Sequence, residues 1–148
     1  MEKSGIYKLQ VKEVWHISTA VNDAKKVTEA WSSMFGIGPW KFIDIGGIDA
    51  KGRPWKAMEA HASLGSLGIE LIQPVEGRIV QSRFLDTRGP GLHHIAFLVE
   101  DPNREADNLV AQGAKLLIKD PGNFSYLESG APDGAVFEVA SFSQVAKW

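Results

Sequence analysis

The stretch Gly91-Leu92-His93-His94-Ile95-Ala96-Phe97-Leu98-Val99-Glu100-Asp101 decides how the chain is read. Branched and aromatic residues fill it, Gly89-Pro90 precedes it, and Asp101-Pro102 closes it with the signature of a helix start, so it reads as a strand. Successive strand side chains point to opposite faces, and only one of His93 and His94 can look into a given cavity. A second stretch makes the choice. Trp15-His16-Ile17-Ser18-Thr19-Ala20-Val21-Asn22-Asp23 repeats the frame, setting His16 on His94, Ile17 on Ile95, Val21 on Val99 and Asp23 on Asp101 at an offset of 78 residues. His94 is the equivalent of His16, while His93 falls where Trp15 stands and reads as structural, on the opposite face.

The pattern around the two frames repeats as well. Val14 to Val21 reads as a strand, followed by a helix capped at Asn22 or Asp23, with Ala24, Val27, Trp31, Met34 and Phe35 at helical spacing and Gly36 at its end. Strands follow at Trp40 to Ile45, Trp55 to Ser63 and Ile69 to Gln73, the first closed by a glycine-rich connection and the last stopped by Pro74. Glu76 to Arg88 reads as a polar connection with one or two helical turns. After the second histidine frame comes a helix from Asp101 to Gly113 with Ala106, Leu109 and Val110 inward. Three more strands follow, at Leu116 to Lys119, Phe124 to Leu127 and Ala135 to Phe142, the last two parted by Gly130-Ala131-Pro132-Asp133-Gly134. Strand, helix and three strands therefore occur twice, in modules of about 12–75 and 90–143 that share a single domain, as the length of 148 residues allows.

Composition narrows the function classes. A hydrophobic fraction of 44% and a charged fraction of 23% are ordinary for a soluble globular protein, and no apolar run approaches the roughly 18 residues of a membrane span. The net charge of −2 supplies no basic field for nucleic acid or membrane. The absence of a signal-like segment behind Met1-Glu2-Lys3-Ser4-Gly5 points to the cytoplasm. With no cysteine, any metal must be held by His, carboxylate, amide or water.

A second correspondence supplies the carboxylates. Ile69-Glu70-Leu71 in the first module matches Phe137-Glu138-Val139 in the second, so each module offers one histidine on its first strand and one glutamate on its last. A carboxylate inside an apolar strand is costly to bury without a partner, and a cation supplies one. His16, Glu70, His94 and Glu138 form a nitrogen and oxygen set suited to Zn, Ni, Co, Mn or Fe, and equivalent residues of a pseudo-twofold pair converge on its axis. Ala57, Glu59 and His61 share one strand face. That face meets either the site or only solvent.

Four stretches carry a resemblance to a known family: Trp15-His16-Ile17 with Val21-Asn22-Asp23; Gly68-Ile69-Glu70-Leu71-Ile72-Gln73-Pro74; Gly91-Leu92-His93-His94-Ile95-Ala96-Phe97; and Gly134-Ala135-Val136-Phe137-Glu138-Val139. From about Val14 to Phe142 the chain resembles the vicinal oxygen chelate superfamily, which includes glyoxalase I, methylmalonyl-CoA epimerase, extradiol dioxygenases and bleomycin-resistance proteins. The run from Glu70 to Pro74, with Phe84-Leu85 and Arg88 to Ala96, is most similar to methylmalonyl-CoA epimerase. The resemblance implies an α+β fold of two βαβββ modules forming a curled, half-open mixed sheet around a central cavity. It also implies a divalent metal ligated by His16, Glu70, His94 and Glu138.

The activity implied is that of a metal-dependent epimerase or isomerase working through an enediolate on an acyl-CoA-like thioester. Glu138, as ligand and base, and Glu59, across the substrate, are the catalytic candidates. A glyoxalase I-type lactoylglutathione lyase and a non-catalytic, ligand-sequestering protein of the bleomycin-resistance type are the alternatives. The expected partners are a small carbonyl or thioester substrate and a second copy of the chain in a homodimer. Two segments depart from typical epimerases, Glu128 to Gly134, which lacks their longer His-Pro loop, and Gly36 to Trp40 with the glycine connection after it. Both line the expected pocket mouth, where substrates are distinguished.

Overall fold

A computed structural model describes residues 8–130 and 134–148; the expected turn residues Ala131, Pro132 and Asp133 lie outside the described residues. The strands are β1 (Glu13–Ala20), β2 (Lys41–Ile48), β3 (Pro54–Leu64), β4 (Leu67–Glu76), β5 (Gly91–Val99), β6 (Lys115–Asp120), β7 (Phe124–Glu128) and β8 (Val136–Ser141). The helices are α1 (Ala24–Phe35), α2 (Val80–Arg88) and α3 (Pro102–Ala111). Strand, helix and three strands occur twice, with α2 as the connection, which is the expected α+β class. Among the described residues no helix is long and apolar enough to cross a membrane.

The described residues divide into two compact units, Trp15–His94 and, together with the described residues before Trp15, those after His94. In the first, the strand order is β2-β3-β4-β1, with the opening residues of β5 beside β1. β1 and β4 run parallel while β2, β3 and β4 are antiparallel, so this part of the sheet is mixed. Asp23 caps α1 by accepting from the Lys26 N–H at 3.1 Å, and Gly36 ends it in the left-handed region at φ 69°. The inward stripe of α1 places Ala24, Val27 and Trp31 against Val21, Ala60, Leu71 and Met58. Met34 and Phe35, expected on that stripe, are instead exposed. Trp31 takes the inward position of the last turn, and the Phe35 ring meets its edge at 6.4 Å.

In the second unit β8 lies between β5 and β7, with β6 outermost. Asp101 caps α3 by accepting from the Arg104 N–H at 3.0 Å, with Pro102 in the first turn where its missing N–H costs nothing. Val99, Ala106, Leu127 and Val139 form the core of this unit.

Several boundaries differ from the sequence expectation, three of them for identifiable reasons. β2 continues through Gly46 and Gly47 to Ile48, because Trp55 crosses closely there: a Cβ on Gly46 would stand 2.9 Å from the Trp55 carbonyl oxygen. β4 runs past Pro74 to Glu76. The ladder absorbs the proline with a register shift between Lys56 and Ala57, where Ala57 pairs with Pro74. The last strand ends at Ser141, whose hydroxyl accepts from the Ser143 N–H at 3.2 Å and opens a 3₁₀ helix over Phe142–Lys147.

Leu71 has no exposed surface, whereas Met34 is 70% exposed. Leu71→Ala is expected to cost about 2–5 kcal/mol in urea denaturation. Met34→Ala should stay within about 0.5 kcal/mol of the parent.

Candidate metal centre

Strand alternation sorts the first unit into two faces. Met58, Ala60 and Leu71 pack on the α1 side, so their neighbours Glu59, His61 and Glu70 point the other way. Register then aligns Ser18 of β1, Glu70 of β4 and His61 of β3 in one row across three strands. His16 lies two residues before Ser18 on the same face, and β5 brings His94 beside it.

The three residues meet. His16 Nε2 is 3.3 Å from His94 Nε2 and 3.7 Å from Glu70 Oε1, which is 4.0 Å from His94 Nε2. All three side chains are buried, at 1%, 3% and 4% exposure for His16, His94 and Glu70. With metal bonds of about 2.0–2.2 Å, two ligands of one tetrahedral ion stand roughly 3.3–3.6 Å apart, so this spacing fits a shared cation with modest closure. The donors fit as well, since imidazole and carboxylate suit Zn, Ni, Co, Mn or Fe.

Two neighbours hold the triad in place. Ser18 donates its hydroxyl to Glu70 Oε1 at 2.8 Å. His93, expected to be structural, is buried with its ring edge-on to Phe84 and its Nδ1 2.8 Å from His94 Nδ1. For His94 to present a lone pair at Nε2, its proton must sit on Nδ1 and be donated to His93 Nδ1, which requires a neutral His93 protonated at Nε2. Burial pushes the His93 pKa down to about 3 and keeps it neutral. In that state His93 would fix the tautomer and ring orientation of His94.

The face extends to β3. His61 Nε2 lies 3.4 Å from Glu70 Oε2 and 3.6 Å from Glu59 Oε2, and His61 is buried at 5% exposure. Burial opposes its charged form, but the carboxylates of Glu59 and Glu70 outweigh it and its pKa rises to about 9. Burial, reinforced by Glu70, pushes Glu59 up to about 7. For Glu70 burial is outweighed by His16, His61 and His94, which hold its carboxyl below the usual range.

Of the residues singled out in the sequence, His16, Glu70 and His94 come together, with Glu59 and His61 adjoining them. Glu138 is buried on β8, opposite Tyr126, in the other compact unit; its association with the three rests on the sequence repeat. Ser18 was missed. It sits two residues beyond His16 on the same face, yet position 96, its counterpart in the repeat, is alanine.

The profile of the glyoxalase/bleomycin resistance protein/dioxygenase superfamily matches residues 15–125. The chain belongs to that superfamily. Among its relatives is the uncharacterized protein YqjC of Bacillus subtilis (strain 168), 28% identical over 106 residues that cover 72% of this chain and 71% of that protein. The superfamily fold is shared with solved structures. Methylmalonyl-CoA epimerase from Mycobacterium tuberculosis superposes with a TM-score of 0.67 at 20% identity, covering 100% of this chain and 97% of the other. A variant of Streptomyces coelicolor methylmalonyl-CoA epimerase in complex with 2-nitronate-propionyl-CoA gives 0.67 at 18% identity, over 89% and 98%.

His94→Ala and His16→Ala should each lose the ion held by this triad, read as one equivalent fewer than wild type in elemental analysis after dialysis, while the circular dichroism spectrum is kept. His93→Phe, which removes the acceptor for His94 and keeps a ring, should weaken metal affinity by about 10–100-fold in calorimetric titration.

Proposed function

We propose that this chain is a metal-dependent epimerase or isomerase acting on the carbon next to the carbonyl of an acyl thioester, of the kind carried by coenzyme A. The observation that carries the reading is the buried His16, Glu70 and His94 triad, whose donor atoms lie within 4.8 Å of one another. These three residues would hold a divalent ion, with Glu138 as the fourth ligand supplied by the second module. A bound ion supplies positive charge to substrate oxygens, lowering the cost of the negative charge that develops when the adjacent carbon loses its proton.

The chain's own groups carry the proton. Glu59 has a side chain 16% exposed beside the nearly closed triad, so a substrate can reach it while its carboxylate stays largely shielded from water. It takes the proton from one face of the carbon. Glu138 is its counterpart, returning a proton to the other face, since inversion requires two acid/base groups. Ser18 keeps Glu70 oriented, and His93 does the same for His94. The folds of the epimerases from Mycobacterium tuberculosis and Streptomyces coelicolor support the reaction class.

The test is NMR in deuterium oxide with methylmalonyl-CoA and metal-loaded protein. Deuterium should enter at the carbon next to the thioester carbonyl and the two epimers should interconvert. Chelation should stop the exchange and restored metal recover it, while Glu59→Gln should slow it by about 10²–10⁴-fold. Turnover of a glutathione hemithioacetal without thioester exchange would replace this reading with a lyase. Tight binding of either compound with no chemistry would replace it with a sequestering protein.

A further inference from the structure

Glu70 turns two different oxygens to two different sets of donors. Its Oε1 faces His16 and His94, at 3.7 and 4.0 Å, and its Oε2 faces His61 at 3.4 Å. His61 Nε2 is in turn 3.6 Å from Glu59 Oε2, and one donor atom from each of Glu59, His61 and Glu70 lies within 4.8 Å of the others. We propose that the chain binds a second divalent cation between Glu59, His61 and Glu70, with Glu70 bridging the two ions through its separate oxygens. This rests on the reading of His16, Glu70 and His94 as the first metal site.

The distances fit a shared cation. His61 Nε2 stands at nearly equal distances, 3.4 and 3.6 Å, from two carboxylate oxygens. Those are the separations of neighbouring donors around one metal ion with bonds of about 2.1 Å. They also match the 3.3 and 3.7 Å of the first triad.

Charge and access agree with the distances. Two carboxylates so close in a buried setting repel and call for positive charge between them, and a dication meets that need more fully than one imidazolium. Backbone register makes the arrangement durable, since His61 and Glu70 are directly paired across β3 and β4 and Glu59 follows on the same face. Glu59, the most exposed of the three, gives the ion a way in. Ligation through Oε2 leaves its other oxygen to exchange a proton with substrate. One imidazole and two carboxylates favour a Zn, Mn or Co ion over a soft one.

The experiment is metal counting on the full chain, stripped with chelator and titrated separately with Zn and Mn by calorimetry, with elemental analysis after dialysis. Wild type should take up two equivalents, with a spin-coupled pair in the electron paramagnetic resonance spectrum of the Mn form. Glu59→Gln and His61→Ala should each take up one equivalent and lose the coupling, and the isosteric Glu59→Gln stands in should His61→Ala fail to fold. One equivalent in wild type, unchanged in Glu59→Gln, overturns the second site and leaves the first. Two equivalents retained in both variants overturn its placement. A folded wild type that takes up none overturns the first site and this one with it.

Discussion

A carboxylate taken out of water must be given positive charge or hydrogen-bond donors, and at Glu70 the chain supplies both. Ser18 donates to one oxygen, His16 and His94 lie near the same oxygen, and His61 approaches the other. These residues come from β1, β3, β4 and β5, so satisfying one side chain depends on the relative placement of four strands. A buried charge stripped of its partners is heavily penalised, which ties the integrity of this part of the sheet to the chemistry it carries.

The same strands serve two masters because a strand has two faces. Ala60 and Leu71 pack beneath α1 with Val21 and Ala24, and the residues beside them in sequence, His61 and Glu70, line the polar cluster. No loop has to position the donors; the ladder does. Sites built on paired strands hold their geometry more closely than sites built on loops. The triad is braced as well: its histidine rings meet Trp15, at 4.4 Å from His16, on one side and His93 on the other.

The sequence carried much of this because duplication leaves a periodic trace. The interval of 78 residues picked His94 over His93, and the two Nε2 atoms so paired lie 3.3 Å apart. Helix starts were legible too, since Asp23 and Asp101 have the side chain and position of a cap. Legibility failed where the deciding contact was non-local and unrepeated. Ser18 has no partner in the second module, and the alternation that set His61 on a face did not say whether that face met water or Glu70. The reach of β4 past Pro74 was hidden because the compensating shift lies in the facing strand, at Lys56 and Ala57. Met34 and Phe35 had the spacing of core residues, but Trp31 filled the place.

The turn that joins β3 to β4 has two residues, Gly65 and Ser66, between the paired Leu64 and Leu67, and Gly65 takes a φ of 63°. Because side chains alternate with a period of two, a one-residue slip of β3 against β4 would send Glu59 and His61 under α1 while Ala60 faced the cluster. A turn this short leaves little slack for such a slip. Inheritance of the donor row thus rests on the tightness of the hairpin as well as on the residues in the row.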